Sequence, residues 1–206
     1  MYVPAGEVLR ELADFPHVPI DYITFSGRGE PTLAANLGDT IRAVKEARPE
    51  KTAVLTNASL VGDAQVRAEL AETDFVCLKL DASDEDAFQK INRPAAGVHL
   101  DDIITGIEKF RQEYRGRMAL QMMFVEENRR CAESMAAIAR RVGPDEVQLN
   151  TPLRPSGAKP LSREELAGIK VLFGDVPVVS VYEASHKEVK PVSARETMRR
   201  RGKRIE

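Results

Sequence analysis

Apolar positions along the chain come either as short unbroken runs or as stripes recurring every three to four residues, a strand-then-helix rhythm kept throughout. The run Ile20–Phe25 is apolar and β-branched and ends in Ser26-Gly27-Arg28-Gly29. Leu37, Ile41 and Val44 form a helical stripe that Pro49 closes, and Thr52–Thr56 predicts the next strand. A weaker stripe, Val66 and Leu70 with Asp63 as N-cap, leads into a strand over Phe75–Asp81. Ser83, with acids at 84–86 in the first turn, caps a short helix carrying Phe88 and Ile91.

The clearest helix puts Leu100, Ile103, Ile104, Ile107, Phe110 and Tyr114 on one face. Gly116 ends it, and a strand over Met118–Val125 follows. Met135, Ile138 and Val142 mark another helix, and Glu146–Asn150 another strand. Ser162 and Glu165 make a capping box with Leu161 and Leu166 as its hydrophobic staple; that helix runs to about Phe173. Val176–Tyr182 gives the last strand, and Glu7, Val8, Leu9 and Leu12 read as a helix ahead of the first. Strands spaced by helices in this way make βα units, hence parallel strands with right-handed crossovers. Several strands are apolar throughout, as expected where both faces are covered. A doubly wound sheet and an open or partial barrel both satisfy the pattern.

The 206 residues are 43% apolar and 30% charged, which suits one well-buried domain. That domain is expected over residues 1–186, with a basic segment over 187–206. The segment has eight basic residues against three acidic ones, +5 in a chain of net −2, so the remainder carries −7. It reads as a solvated terminus, with a phosphate or nucleic-acid contact through Arg199, Arg200, Arg201, Lys203 and Arg204 as the sharper reading. No apolar run approaches the ~20 residues of a membrane helix, and the first residues lack a signal-peptide pattern, so a cytoplasmic protein is expected. Two cysteines, Cys77 and Cys131, form neither a disulfide framework nor a close thiol pair for a metal.

In either architecture ligands bind beyond the carboxyl ends of the strands. The residues there are polar: Ser26 to Pro31, then Thr56 to Ser59, then Lys79 and Asp81, then Gln148, Asn150 and Arg154. His17, His99 and His186 lie elsewhere, which argues against a histidine-based hydrolase or zinc enzyme. Neither a nucleophile elbow nor a Walker lysine is present. Pro31 fixes the chain direction after Glu30, so that carboxylate is held and suits a ligand ammonium group. Read alone, the segment is equally a tight turn with a capping acid.

Taken in order, Ser26-Gly27-Arg28-Gly29-Glu30-Pro31-Thr32-Leu33, Leu55 to Leu60, Leu80-Asp81-Ala82, Ile91-Asn92-Arg93-Pro94 and Val147 to Thr151 resemble the radical S-adenosylmethionine superfamily, most closely its wyosine-synthesis-like iron–sulfur oxidoreductases. The resemblance implies an α/β fold, an incomplete (β/α)6 partial barrel of parallel strands. It implies that Gly29, Glu30 and Pro31 bind the amino group of S-adenosylmethionine. It points to Asn57, and further to Ser59, Lys79 and Asp81, for the ribose and carboxylate, and places Leu149 and Asn150 near the adenine. S-adenosylmethionine and a 4Fe–4S cluster are the implied cofactors.

The chain departs from that family in one respect. The family's Cys-x3-Cys-x2-Cys cluster motif precedes the Gly-Glu-Pro segment, and none of the residues before Ser26 is cysteine. Cys77 lies in a strand and Cys131 opens a helix, so neither replaces the trio. The expectation is therefore a barrel whose first strand and cluster loop are missing: a truncated domain, inactive alone, that does not hold the cluster. A cluster-less module binding a nucleoside ligand or a partner is the alternative, and a different α/β enzyme the third. An exposed edge at Ile20–Phe25 predicts a homodimer through that edge, unless the helix with Val8, Leu9 and Leu12 packs across it. A transfer RNA is the nucleic acid that relatives of this branch suggest.

Overall fold

The computed structural model describes residues 3–16, 18–27 and 29–184. The basic segment with Arg199, Arg200, Arg201, Lys203 and Arg204 lies outside the described residues, as do Arg28 and His17. The nucleic-acid contact and the separate segment 187–206 therefore rest on the sequence.

The described chain runs α1 (Ala5–Ala13), β1 (Ile23–Phe25), α2 (Leu37–Ala47), β2 (Thr52–Thr56), α3 (Ala64–Leu70), β3 (Phe75–Lys79), α4 (Glu85–Ile91), α5 (Leu100–Glu113), β4 (Arg117–Met123), α6 (Ala132–Val142), β5 (Glu146–Asn150), α7 (Arg163–Val171) and β6 (Val178–Ser180). All six strands are parallel and lie in chain order, β1 to β6. That order removes the ambiguity left by the pattern. A doubly wound sheet reverses its strand order at a switch point and carries helices on both faces. Here each crossover steps to the next neighbour in one direction, as in a barrel that is not closed.

One face of the sheet carries the core. Val54, Val76, Leu78, Leu120, Met122, Val147 and Leu149 pack there against Ile41 of α2, Ile103 and Ile107 of α5 and Met135 of α6. Phe110 stacks on Tyr114, whose hydroxyl donates to the Thr73 carbonyl at 2.9 Å. The opposite face is only partly covered, with Ala53, Cys77 and Ala119 buried on it. Leu55 and Val179 are mid-strand yet 37% and 39% exposed, and Lys79, Gln121 and Gln148 lie in one register row between them. Apolar strands had suggested cover on both faces; in an unclosed barrel the inner face has less of it.

Local chemistry explains the boundaries. Glu165 and Ser162 cap α7 reciprocally, with Leu161 and Leu166 buried as expected. Gly143, at φ +63°, ends α6 in the left-handed conformation that glycine adopts without strain. Gly106 of α5 has a different reason: a Cβ there would lie 2.7 Å from the Gly62 nitrogen and 2.8 Å from the Val61 carbonyl carbon. The helix can approach the loop after β2 that closely only with glycine at the contact.

Several expectations shift, the last strand among them, which shortens to Val178–Ser180. The first strand is three residues long, Ile23–Phe25, because only those residues pair with Thr52–Val54 of β2. Asp84 rather than Ser83 caps α4: its Oδ1 accepts from the Ala87 amide at 2.9 Å, while the Ser83 hydroxyl donates to Oδ2. Phe124 and Val125 lie past the end of β4, and a 3-10 segment, Glu126–Cys131, follows them. Finally, α1 packs chiefly on α2. Arg48 donates to the Leu12 carbonyl at 3.3 Å, and Asn36 to the Val3 carbonyl at 2.9 Å. At three residues, β1 is a short edge, one of the ways sheets limit edge pairing.

Candidate functional site

The polar residues at the carboxyl ends of β1 to β5 form two adjoining groups. In the first, Pro31 sets the first turn of a 3-10 segment, Pro31–Leu33, and Glu30 is its N-cap. Glu30 Oε1 accepts from the Thr32 amide at 3.1 Å, the Thr32 hydroxyl at 2.8 Å and the Thr56 hydroxyl at 2.6 Å. Its Oε2 accepts from the Asn57 amide at 2.7 Å. The carboxylate therefore ties the loop after β1 to the end of β2, with Oε1 saturated and Oε2 holding one donor. A carboxylate oxygen accepts about two, so Oε2 keeps room for a ligand donor. Beside it, a Cβ on Gly29 would meet nothing within 4 Å. A cleft of about 520 Å³ lies there, lined by Ser26, Gly27, Gly29, Glu30 and Pro31 among others.

The end of β2 continues this group. Asn57 is exposed, and its Oδ1 accepts from the Ser59 amide at 2.9 Å, which positions Ser59, half-buried, in the same turn. Between them Ala58 has φ +64°, a left-handed conformation costing a non-glycine residue about 1 kcal/mol or more. The Thr56 hydroxyl offsets part of this by accepting from the Ala58 amide at 3.0 Å.

The second group begins on the next strand. Thr56 pairs with Leu78, so Asn57 and Lys79 are the following positions on neighbouring strands. Asp81 is 2% exposed, and its carboxylate is fully engaged. Oδ1 accepts from the Met123 amide at 2.9 Å; Oδ2 accepts from Asn92 at 2.9 Å and pairs with Lys79 Nζ at 2.7 Å. Asn128, wholly buried, donates to the Asp81 and Met123 carbonyls, both at 2.8 Å, and accepts from the Val125 amide at 2.8 Å. It locks the ends of β3 and β4 together. A cleft of about 580 Å³ opens over these ends.

On β5, Asn150 is half-buried opposite Met123 in the register, whereas Leu149 is fully buried in the core. The structure thus brings Gly29, Glu30, Pro31, Asn57 and Ser59 together, sets Lys79 and Asp81 alongside, and leaves Asn150 at the far end. The side chain of Leu149 is separated from them, because alternate residues of a strand face opposite sides. Asn128 escaped sequence reasoning, and Thr32 and Thr56, though within the quoted segments, were not foreseen as donors to Glu30. For the threonines the Gly-Glu-Pro segment was a usable signal, since a held carboxylate needs donors; for Asn128 there was none.

The two cysteines do not fit a cluster that needs three thiolates. Cys77 is buried in β3, with its sulfur 3.8 Å from Gln148 Oε1. Burial, helped by the nearby Glu146 carboxylate, pushes its thiol up to about 12. Cys131 is buried at the start of α6. No group of three His, Cys, Asp or Glu able to hold a metal occurs among the described residues. Nor is any helix among them long and apolar enough to cross a membrane.

Comparison with known proteins defines the class first. The fold is the partial barrel of radical S-adenosylmethionine enzymes. It matches a radical SAM methyltransferase of Sphaerobacter thermophilus at a TM-score of 0.65 and 19% identity, over 86% of this chain and 57% of that one. It also matches Streptococcus suis SuiB bound to S-adenosylmethionine at 0.64 and 17%, over 86% and 43%. The chain itself belongs to the UPF0026 family. It is 43% identical over 186 residues to a UPF0026 protein of Synechocystis, covering 88% of this chain and 69% of the relative. It spans half the length of the Methanocaldococcus jannaschii member, which is 32% identical over 163 residues covering 76% of this chain. No family model matches the chain.

Proposed function

We propose that this chain is the S-adenosylmethionine-binding barrel of a radical S-adenosylmethionine-type protein, of the wyosine-synthesis-like branch that its ordered motifs suggest. The observation that carries the reading is the Glu30 carboxylate, fixed by four donors yet with acceptor room left on Oε2. A carboxylate needed only as a turn cap has no use for the hydroxyl and amide of the next strand. Held in this way, it is preorganised for a cationic ligand group. The open space at Gly29 lets a ligand approach the backbone beside it.

In this reading Glu30 receives the ligand ammonium, with Gly29 and Pro31 shaping the approach. Asn57 and Ser59 offer polar groups to the ribose or carboxylate. Lys79 and Asp81 form the next wall: the ammonium attracts the ligand carboxylate, and Asp81, spent on structure, holds Lys79 in place. Asn150 is the adenine-side contact, with Leu149 supporting it from the core. S-adenosylmethionine, when bound, supplies a sulfonium whose carbon substituents are activated for transfer or cleavage. No step of this reading runs through a cluster, because two buried cysteines do not supply three thiolates; the chain by itself is a binding unit. A second reading, a cluster-less module for a nucleoside ligand, uses the same residues.

Calorimetric titration with S-adenosylmethionine tests the site. The native chain is expected to bind weakly, and Glu30→Gln to bind about tenfold less well, as expected for losing a charged hydrogen bond. Thermal melting of the variant checks that the loop persists. Equal affinity in both proteins, or no binding by the native chain, would remove Glu30 from the role.

A further inference from the structure

The cleft over the ends of β3 to β5 contains more charge than binding S-adenosylmethionine by Lys79 requires. Lys79 is paired with Asp81, but Lys90 and Arg93, which line the same cleft, make no hydrogen bond or ion pair with the described residues. Most other basic side chains of the fold are tied to a carboxylate or a carbonyl, Arg42, Lys45, Arg48, Arg67, Arg111 and Arg117 among them. Glu127 is the remaining charge on the cleft wall, which leaves the unpartnered set net cationic.

The backbone also singles out Arg93. Its φ is +48°, one of only two positive values at non-glycine residues among the described ones, and the next residue is Pro94. Proline disfavours anything but an extended predecessor, so arginine there is strained on both counts. A solvated arginine needs no such placement, and glycine would take it freely. The turn is anchored instead: the side-chain amide of Asn92 donates to Asp81 at 2.9 Å, which fixes which way that amide faces. Its Oδ1 is consequently buried without a donor. An orphaned buried acceptor in the wall of a polar cleft marks a place where a further donor belongs.

We propose that this cleft binds the oxyanion of a small-molecule substrate, a phosphoryl or carboxylate group, with Lys90 and Arg93 as its cationic contacts and Asn92 as the acceptor for an adjoining donor. Arginine supplies a planar fork that matches such a group, and lysine a point charge beside it. The proposal rests on the reading above for its place beside the cofactor site, since Lys79 and Asp81 border both. Its contacts are different residues, however, and anion binding does not require the cofactor.

The test is calorimetric titration of the full chain, at low ionic strength, with pyrophosphate and separately with malonate. Lys90→Gln and Arg93→Gly are compared with the native chain, and thermal melting is recorded for each. The basic segment 187–206 is kept in all of them, so its contribution cancels. Each variant is expected to weaken the preferred anion about tenfold while its melting temperature stays or, for Arg93→Gly, rises. Tighter pyrophosphate assigns a phosphoryl group, and tighter malonate a carboxylate. Unchanged anion affinity in both variants would overturn the proposal, as would a loss confined to a variant that melts earlier. S-adenosylmethionine titrations of the same variants are expected to match the native chain. A native chain that binds no S-adenosylmethionine yet loses anion affinity in the variants would fault the cofactor reading alone.

Discussion

Burial sets the acidity of Cys77 and Tyr114 more than neighbouring charge does. Cys77 and Tyr114 are both pushed up to about 12, Cys77 by burial and then the Glu146 carboxylate, Tyr114 by burial against the opposing hydrogen bond to Thr73. Each is an acid whose folded pKa exceeds its unfolded one, so the native state keeps protons that the unfolded chain releases. Stability from these groups is whole below about pH 9, where the unfolded thiol of ordinary value 9.0 begins to ionise. It is lost as pH climbs toward about 12. Equilibrium unfolding in urea between pH 8 and pH 11 is expected to show falling stability, with a shallower fall in Cys77→Ala. A fall no shallower in that variant would contradict the account. Glu30 was legible as a held carboxylate because proline follows it, but its partners Thr32 and Thr56 were not. One lies two residues on and the other a whole βα unit away, and only the fold brings both to the same oxygen.

Secondary-structure elements were legible in proportion to their periodicity. The stripe from Leu100 to Tyr114 marked α5 because six apolar residues share a face, and five of them lie in the helix, with Tyr114 as its C-cap. The 3-10 segment Glu126–Cys131 has no apolar period, since its buried residues are Asn128 and Cys131 alone. Nor did the sequence show why α5 contains Gly106, a poor helix former in mid-helix. The contact with Val61 and Gly62 supplies the reason. Because the atoms met are backbone, they cannot swing aside. Gly106→Ala is therefore expected to destabilise the protein by about 1–3 kcal/mol despite alanine's higher helix propensity. Gly168→Ala in α7, where a Cβ meets nothing, is the control and is expected to be neutral or stabilising. Equal melting temperatures for Gly106→Ala and the native chain would show that α5 has room to move.

Across the whole molecule, strand order was the property the pattern could not give. Alternating strands and helices suit both a doubly wound sheet and a barrel, and only the pairing β1 to β6 in sequence separates them. That one-way order puts every strand's carboxyl end on one rim, to which residues spread from Gly29 to Asn150 are brought. Glu30 and Asp81 stabilise this rim from below, one joining the ends of β1 and β2, the other those of β3 and β4. Asn57, Lys79 and Asn150 stand at the ends of these strands, and in the proposed reading they form the surface for one ligand. The most direct measurement is a backbone amide map of the isotope-labelled chain titrated with S-adenosylmethionine. Shifts concentrated at Gly29, Asn57, Ser59, Lys79 and Asn150, with the opposite rim unmoved, are the expected result. Shifts scattered over the helices, or none along this rim at millimolar ligand, would contradict the account.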